Sequence, residues 1–243
     1  IINFLEYKNL VLEKHTELEM SSKKLYITHL KTFFTFINEN LDSEIKVSSI
    51  FKINIKIPKR TPKGVESNDV KILEEYLSNI KLDSYLKVRT SMILKILLYS
   101  GARRGELEAL KTKDFIEDGK LFIINTIGKG NKERILYTPI KYIQKELEFY
   151  KKHNIKHIAA TKTGKVMDGS HIYRFLNGIY KKIGIKYSGA HILRHTFAKS
   201  MLAKDVNIVT VQELLGHASI QTTMIYANPN QREVQKAYLD TLR

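Results

Sequence analysis

His191 and His195 stand four places apart in the stretch "HILRHTFAKSML", with Arg194 between them. On a helix the three share one face. That spacing admits several chemistries. A zinc helix of the H-E-x-x-H kind also has histidines four apart, but it needs a general-base Glu after the first, and Ile192 stands there. The nearest third ligand would be His217, and Arg194 on the same face would repel a dication. In a second reading Arg194 binds an oxyanion with its planar fork while His191 handles a proton. In a third, the histidines are satisfied polar residues at a helix edge. Leu193, Phe197 and Met201 form the core-facing stripe of the same helix.

Four other places carry chemistry-bearing residues. "YSGARRGEL" sets Arg103 and Arg104 just after a glycine turn, where a helix begins and free backbone N–H groups favour anions. The same arginine could instead pair with Glu106, one turn on. "IGKGNKER" is a glycine-rich hairpin tip with Lys129, Lys132 and Arg134, able to approach a phosphate but lacking the spacing of a nucleotide-binding loop. "LLGHASI" ends a helix at Gly216, holds His217 in a short turn, and offers Ser219 as the next cap. "TTMIYAN" contains Tyr226, one of 13 tyrosines, which nothing local marks as a nucleophile.

The elements that must carry these residues are mostly helical. "SSKKLYITHLKTFFTFINEN" keeps Leu25, Ile27, Leu30, Phe33, Phe34 and Ile37 near helical spacing, with Ser21 or Ser22 as its cap. A shorter helix over about residues 2–14 precedes it. "IKIPKRTPKGVESNDV", with two prolines and four basic residues, reads as an extended linker that crosses a polyanion. Beyond it Ser67 caps an amphipathic helix, and "SYLKVRTSMILKILLYS" forms a second helix ending at Gly101. Two strands, "GKLFIINT" and "KERILYTP", are joined at "GKGN" as a hairpin. After residue 138 the pattern is helical almost to the end, punctuated by Gly184, Gly189 and Gly216.

Composition narrows the functions. The 243 residues hold 41 Lys and Arg against 25 Asp and Glu, a formal net charge of +16, so the expected partner is a polyanion, nucleic acid first. Cysteine is absent, which removes disulfides, thiolate chemistry and cysteine-rich zinc sites. The longest apolar run, "MILKILLY", is too short to span a bilayer, so no membrane role is expected. The chain starts at Ile1, and a fragment or processed form is the expectation.

Taken in order, "SGARRGEL", "GKGNKER", "HILRH", "LLGHASIQTT" and "MIYA" resemble the tyrosine recombinases, the phage-integrase family, with the nearest likeness to the Xer-type chromosome-dimer resolvases of bacteria. The resemblance covers about residues 60–230. It implies that Arg103, Lys129, His191, Arg194 and His217 surround a scissile phosphate, and that Tyr226 is the nucleophile. Glu106 would orient Arg103, and His195 would support the site. "ARRGE" carries a second arginine, Arg104, where the family pattern asks for only one.

The implied fold class is mainly α, a helical catalytic domain with a small antiparallel sheet, preceded by a truncated helical core-binding domain. Its domains would be residues 1–56, the end of the core-binding domain; 57–66, the basic linker; 67–228, the catalytic domain; and 229–243, a C-terminal helix that docks on a neighbouring subunit. The implied reaction cleaves and rejoins DNA through a 3′-phosphotyrosyl link, with no cofactor, metal or ATP. The implied partners are a double-stranded recombination site and a homo- or heterotetramer of recombinase subunits on two sites, in the cytoplasm at the nucleoid; whether a DNA translocase joins them stays open. Integrases of mobile elements share every one of these residues, and a DNA-binding protein without catalysis is the reading from another class.

Overall fold

The computed structural model describes residues 19–40, 67–128 and 133–226. The chain divides into two compact units, Ile1–Arg60 and Thr61–Arg243. The expected helix at 2–14, the linker at 57–66, Lys129 and Lys132 at the hairpin tip, and the C-terminal helix at 229–243 all lie outside the described residues.

In the first unit, α1 spans Met20–Asn40. It begins before both candidate cap serines, so Ser21 and Ser22 are already helical, and the Ser21 hydroxyl instead reaches back to Glu19 at 3.3 Å. Ile27 is buried, whereas Leu25 and Phe33 are exposed.

The second unit is organised around an apolar helix. α2 (Ser67–Asn79) begins with Ser67 as its first helical residue, not as a cap outside it. α3 (Tyr85–Ser100) buries ten of its residues, including Met92, Ile93, Leu94, Ile96 and Leu97, and so runs through the core. Lys95 is accommodated there because its ammonium meets Glu146 at 2.6 Å, and Ser91 donates to the same carboxylate oxygen at 2.5 Å. A lone buried carboxylate would cost several kcal/mol, and these two donors compensate Glu146. α3 stops where expected, at Gly101, which takes a left-handed φ of 65°.

A short helix α4 (Arg104–Ala109) and a 3-10 turn lead into the sheet. The sheet has three strands, not two: β1 (Phe115–Asp118), β2 (Leu121–Ile127) and β3 (Glu133–Pro139), in antiparallel order β1-β2-β3. β1 escapes the alternation pattern because it is four residues long with one buried side chain, Phe115. Register pairs Phe115 with Ile124 and Ile124 with Leu136, one row of the core face. On β3 the inward row is Arg134, Leu136 and Thr138, while Ile135 and Tyr137 face out.

α5 (Ile140–Lys152) follows, and residues 153–168 then form an irregular connection that replaces part of the expected helical run. Asp168 caps α6 (Gly169–Lys182) by accepting from the N–H groups of Ser170 and His171. α7 (His191–Leu202), α8 (Ile208–Leu215) and α9 (Ile220–Met224) complete the unit, and Ser219 caps α9 as expected, accepting from Gln221 N–H. α7 packs on α3, with Ile192 and Leu193 in the main core, and Phe197, Ala198, Val211 and Leu215 form a second small core against which Tyr226 rests. No described helix is long and apolar enough to cross a membrane.

Candidate active site

The Gly101 turn delivers Arg103 to the start of α4. Its backbone N–H donates to Glu106 Oε2 at 2.7 Å and its guanidinium to Glu106 Oε1 at 2.9 Å. The short-range pair weighed from the sequence therefore exists, and it leaves the fork free to extend further: Nη2 donates to the carbonyl of Gly216. Glu106 is buried. Burial pushes its carboxyl up, but the Arg103 N–H and the neighbouring guanidiniums outweigh this and hold it below the ordinary carboxylate value.

The second of those guanidiniums belongs to Arg134, which the sequence places near a solvated hairpin tip. The structure turns it inward, because it shares the core face of β3 with Leu136. Its Nη1 meets both Glu106 oxygens, at 2.6 and 2.5 Å, and its Nη2 donates to the carbonyl of Leu214 at 2.5 Å. Counting back in twos from the apolar Leu136 is the signal that could have found it.

Arg194 is 4% exposed, held by the core through which α7 runs. Nη1 donates to the Gly101 carbonyl at 2.7 Å and Nη2 to the carbonyl of Leu215. Burial, and then Arg103 and Arg134, push its pKa down to about 9. Three consecutive carbonyls at the end of α8, those of Leu214, Leu215 and Gly216, thus each accept from a different arginine: Arg134, Arg194 and Arg103. These are orphan carbonyls at the negative end of a helix, and cations are favoured there. Gly216 makes the approach possible, since a Cβ on it would stand 2.6 Å from Arg134 Nε and its φ is 59°.

The same turn fixes His217. Its N–H donates to the Gln212 carbonyl at 3.1 Å, and its ring Nδ1 shares a hydrogen bond with the buried Thr223 hydroxyl at 2.8 Å. Burial, with Arg194, Arg103 and Arg134 nearby, pushes its pKa down to about 4, so the ring is neutral near pH 7. The ring lies nearly parallel to that of Tyr226, centroids 6.4 Å apart.

Tyr226 places its hydroxyl 2.5 Å from Nδ1 of His195. Burial raises its pKa and Arg194 offsets part of the rise, so ionising it calls for a proton acceptor. His191, the first residue of α7, lies at the surface; the partial burial of its ring, then Arg194, Arg104 and Arg103, lower its pKa. Among the described residues no cluster of three His, Asp or Glu side chains is placed to hold a metal ion.

The structure therefore gathers Arg103, Glu106, Arg194, His195, His217 and Tyr226 in one place, with His191 at the rim. Arg103, Arg134 and His217 open onto a groove of about 1630 Å³ beside the outer ends of β2 and β3. Two forks and a neutral histidine beside a tyrosine hydroxyl suit a phosphodiester: the excess positive charge binds it, and the hydroxyl can attack it.

The comparisons with known proteins point the same way. The model of the family described as "Phage integrase family" matches residues 65–233. The chain is 32% identical over 229 residues to tyrosine recombinase XerH of Campylobacter jejuni, covering 86% of this chain and 62% of that protein. It is 34% identical over 223 residues to tyrosine recombinase XerA of Pyrococcus horikoshii, covering 89% and 72%. Among solved structures, a post-cleavage complex of the XerH site-specific recombinase with a palindromic difH substrate superposes with a TM-score of 0.75 at 26% identity, over 91% of this chain and 65% of that one. The XerA recombinase superposes with a TM-score of 0.61 at 28% identity, over 99% and 82%. The chain thus spans a little under two thirds of the length of the XerH relatives, 62% of the Campylobacter jejuni protein and 65% of that of Helicobacter pylori.

Proposed function

This chain belongs to the phage integrase family, and on that premise we propose that it is a site-specific DNA recombinase of the Xer type. The observation that carries the reading is the Tyr226 hydroxyl held at His195 within the group formed by Arg103, Arg194 and His217. The Tyr226 oxygen attacks a backbone phosphorus, the bond to the 5′ oxygen breaks, and a 3′-phosphotyrosyl link forms. Arg103, Arg194 and His217 donate to the non-bridging oxygens, whose charge grows in the transition state. A histidine takes the tyrosine proton: His191 is the family's candidate, and the contact with Tyr226 favours His195 for holding the hydroxyl. Lys129 gives a proton to the leaving 5′ oxygen. Attack of a 5′ hydroxyl from another strand reverses these steps and rejoins DNA without ATP.

The biological role we propose is resolution of chromosome dimers in the cytoplasm, by a tetramer on two DNA sites. The named relatives favour this over a mobile-element integrase, and mapping the target site separates the two.

The test uses nicked candidate-site DNA in EDTA, read as a covalent adduct on a denaturing gel. The wild-type chain forms the adduct and Tyr226→Phe does not. An adduct that persists in Tyr226→Phe would overturn the nucleophile, and binding without adduct on every site would favour a DNA-binding protein.

A further inference from the structure

Arg103 and Arg104 are adjacent, yet their forks part company. Arg103 turns to Glu106 and Gly216. The Arg104 guanidinium lies against the first residue of α6: a Cβ on Gly169 would stand 2.7 Å from its Cζ, 2.8 Å from Nε and 3.0 Å from Nη2. The backbone does not require glycine here, because Gly169 is not among the residues with positive φ. What glycine supplies is room for the guanidinium.

Arg104 is exposed, and among the described residues no hydrogen bond or ion pair engages its guanidinium. The neighbouring carboxylate, Asp168, is already used: it accepts from Ser170 and His171 N–H at 2.8 and 2.9 Å and meets the His171 ring at 3.0 Å. Arg104 also adds to the field of Arg103 and Arg194 felt by His191, so it lies on the same side of the molecule as the candidate active site. A cation seated without a counterion beside other cations is unfavourable in the free protein and becomes favourable when a polyanion covers them. DNA offers more than one phosphate within reach of such a cluster.

We propose that Arg104 grips a backbone phosphate next to the one held by Arg103 and Arg194, and that Gly169 exists to seat it. The proposal rests on the recombinase reading of this site and adds a DNA contact to it. Arg104 sits beside the reacting phosphate and takes no part in the bond changes. The competing view is that Arg104 merely braces α4 on α6.

The experiment measures binding of the full chain to a duplex of arbitrary sequence across a salt series, with thermal melting of each variant in parallel. Arg104→Ala is expected to weaken binding and to lower the slope of log K against log salt by about 0.9, the release of one phosphate contact, with melting unchanged. Gly169→Ala, which pushes the guanidinium off its seat while leaving the arginine in place, is expected to reproduce much of that loss. The double variant should be no weaker than Arg104→Ala alone, because both changes remove the same contact. An unchanged slope in Arg104→Ala would overturn the proposal, as would lowered melting with the slope intact, which is the signature of a brace. If the slope falls but no Tyr226 adduct forms on any site, the phosphate contact stands and the recombinase reading fails.

Discussion

The Tyr226 hydroxyl meets Nδ1 of His195 at 2.5 Å, one helical turn beyond His191 on α7. The residue expected only to support the site is the one in contact with the nucleophile. His195→Ala should slow single-turnover adduct formation about 10-fold, the worth of one good hydrogen bond to the reacting group, while leaving DNA affinity unchanged. An unaltered rate would mean that the contact belongs to the free protein alone and that His191 serves Tyr226 once DNA is bound.

Arg134→Gln should destabilise the chain by about 1–3 kcal/mol, because it removes the Nη1 that meets both oxygens of the buried Glu106 and leaves that carboxylate only its Arg103 donors. Adding Glu106→Gln should restore much of that stability, and urea unfolding of the single and double variants measures the recovery. Activity should not return with it, since Arg103 then lacks the carboxylate that orients it.

The reach of the sequence is clear from these residues. Arg103 at a helix start, Gly101 and Gly216 as stops, Ser219 as a cap and the Leu193–Phe197 stripe were legible, because each depends on neighbours within one turn. The bond from Arg134 to Glu106 joins residues 28 apart, and that from Arg194 to Leu215 joins residues 21 apart. Local periodicity does not encode either one. On β3 hydrophobicity misleads, since Ile135 and Tyr137 face out while Arg134 faces in, and the two-residue count from Leu136 is what places it. The acceptors at Leu214, Leu215 and Gly216 are backbone carbonyls, which every residue has.

Stability of the free protein should fall as pH drops. The folded pKa of His217 is about 4, below the unfolded value of 6.5. Between those two values the unfolded chain binds a proton that the folded chain does not, so the His217 contribution is fully present above about pH 6.5, is lost as pH falls through that window and has gone below about pH 4. His191 and His195, also lowered, act in the same direction. Melting at stepped pH should show the slope, and His217→Gln should flatten it; an equal slope in the variant would contradict the assignment.

Gly101→Ala should cost more than about 1 kcal/mol, because the position has a positive φ. The new Cβ would also stand 2.5 Å from Phe197 Cδ1. The Gly101 carbonyl anchors Arg194 at 2.7 Å, so adduct formation should fall beyond what the loss of folded protein explains. Equal stability of wild type and variant in urea would argue against this.

The three arginines are moored to peptide oxygens in a row, and this shapes how the site can be altered. No side-chain replacement at Leu214 or Leu215 deletes the oxygen that Arg134 or Arg194 grips. An alanine scan there reports what the side chains do, such as the packing of the buried Leu215, and not what the oxygens hold. Changing the amide bonds themselves to esters, which weakens the carbonyls as acceptors one at a time, would reveal it. Evolution faces the same restriction: exchanging side chains along this edge of α8 leaves the oxygens in place, and the moorings loosen when the helix end moves or, for Arg134, when Gly216 gains a Cβ.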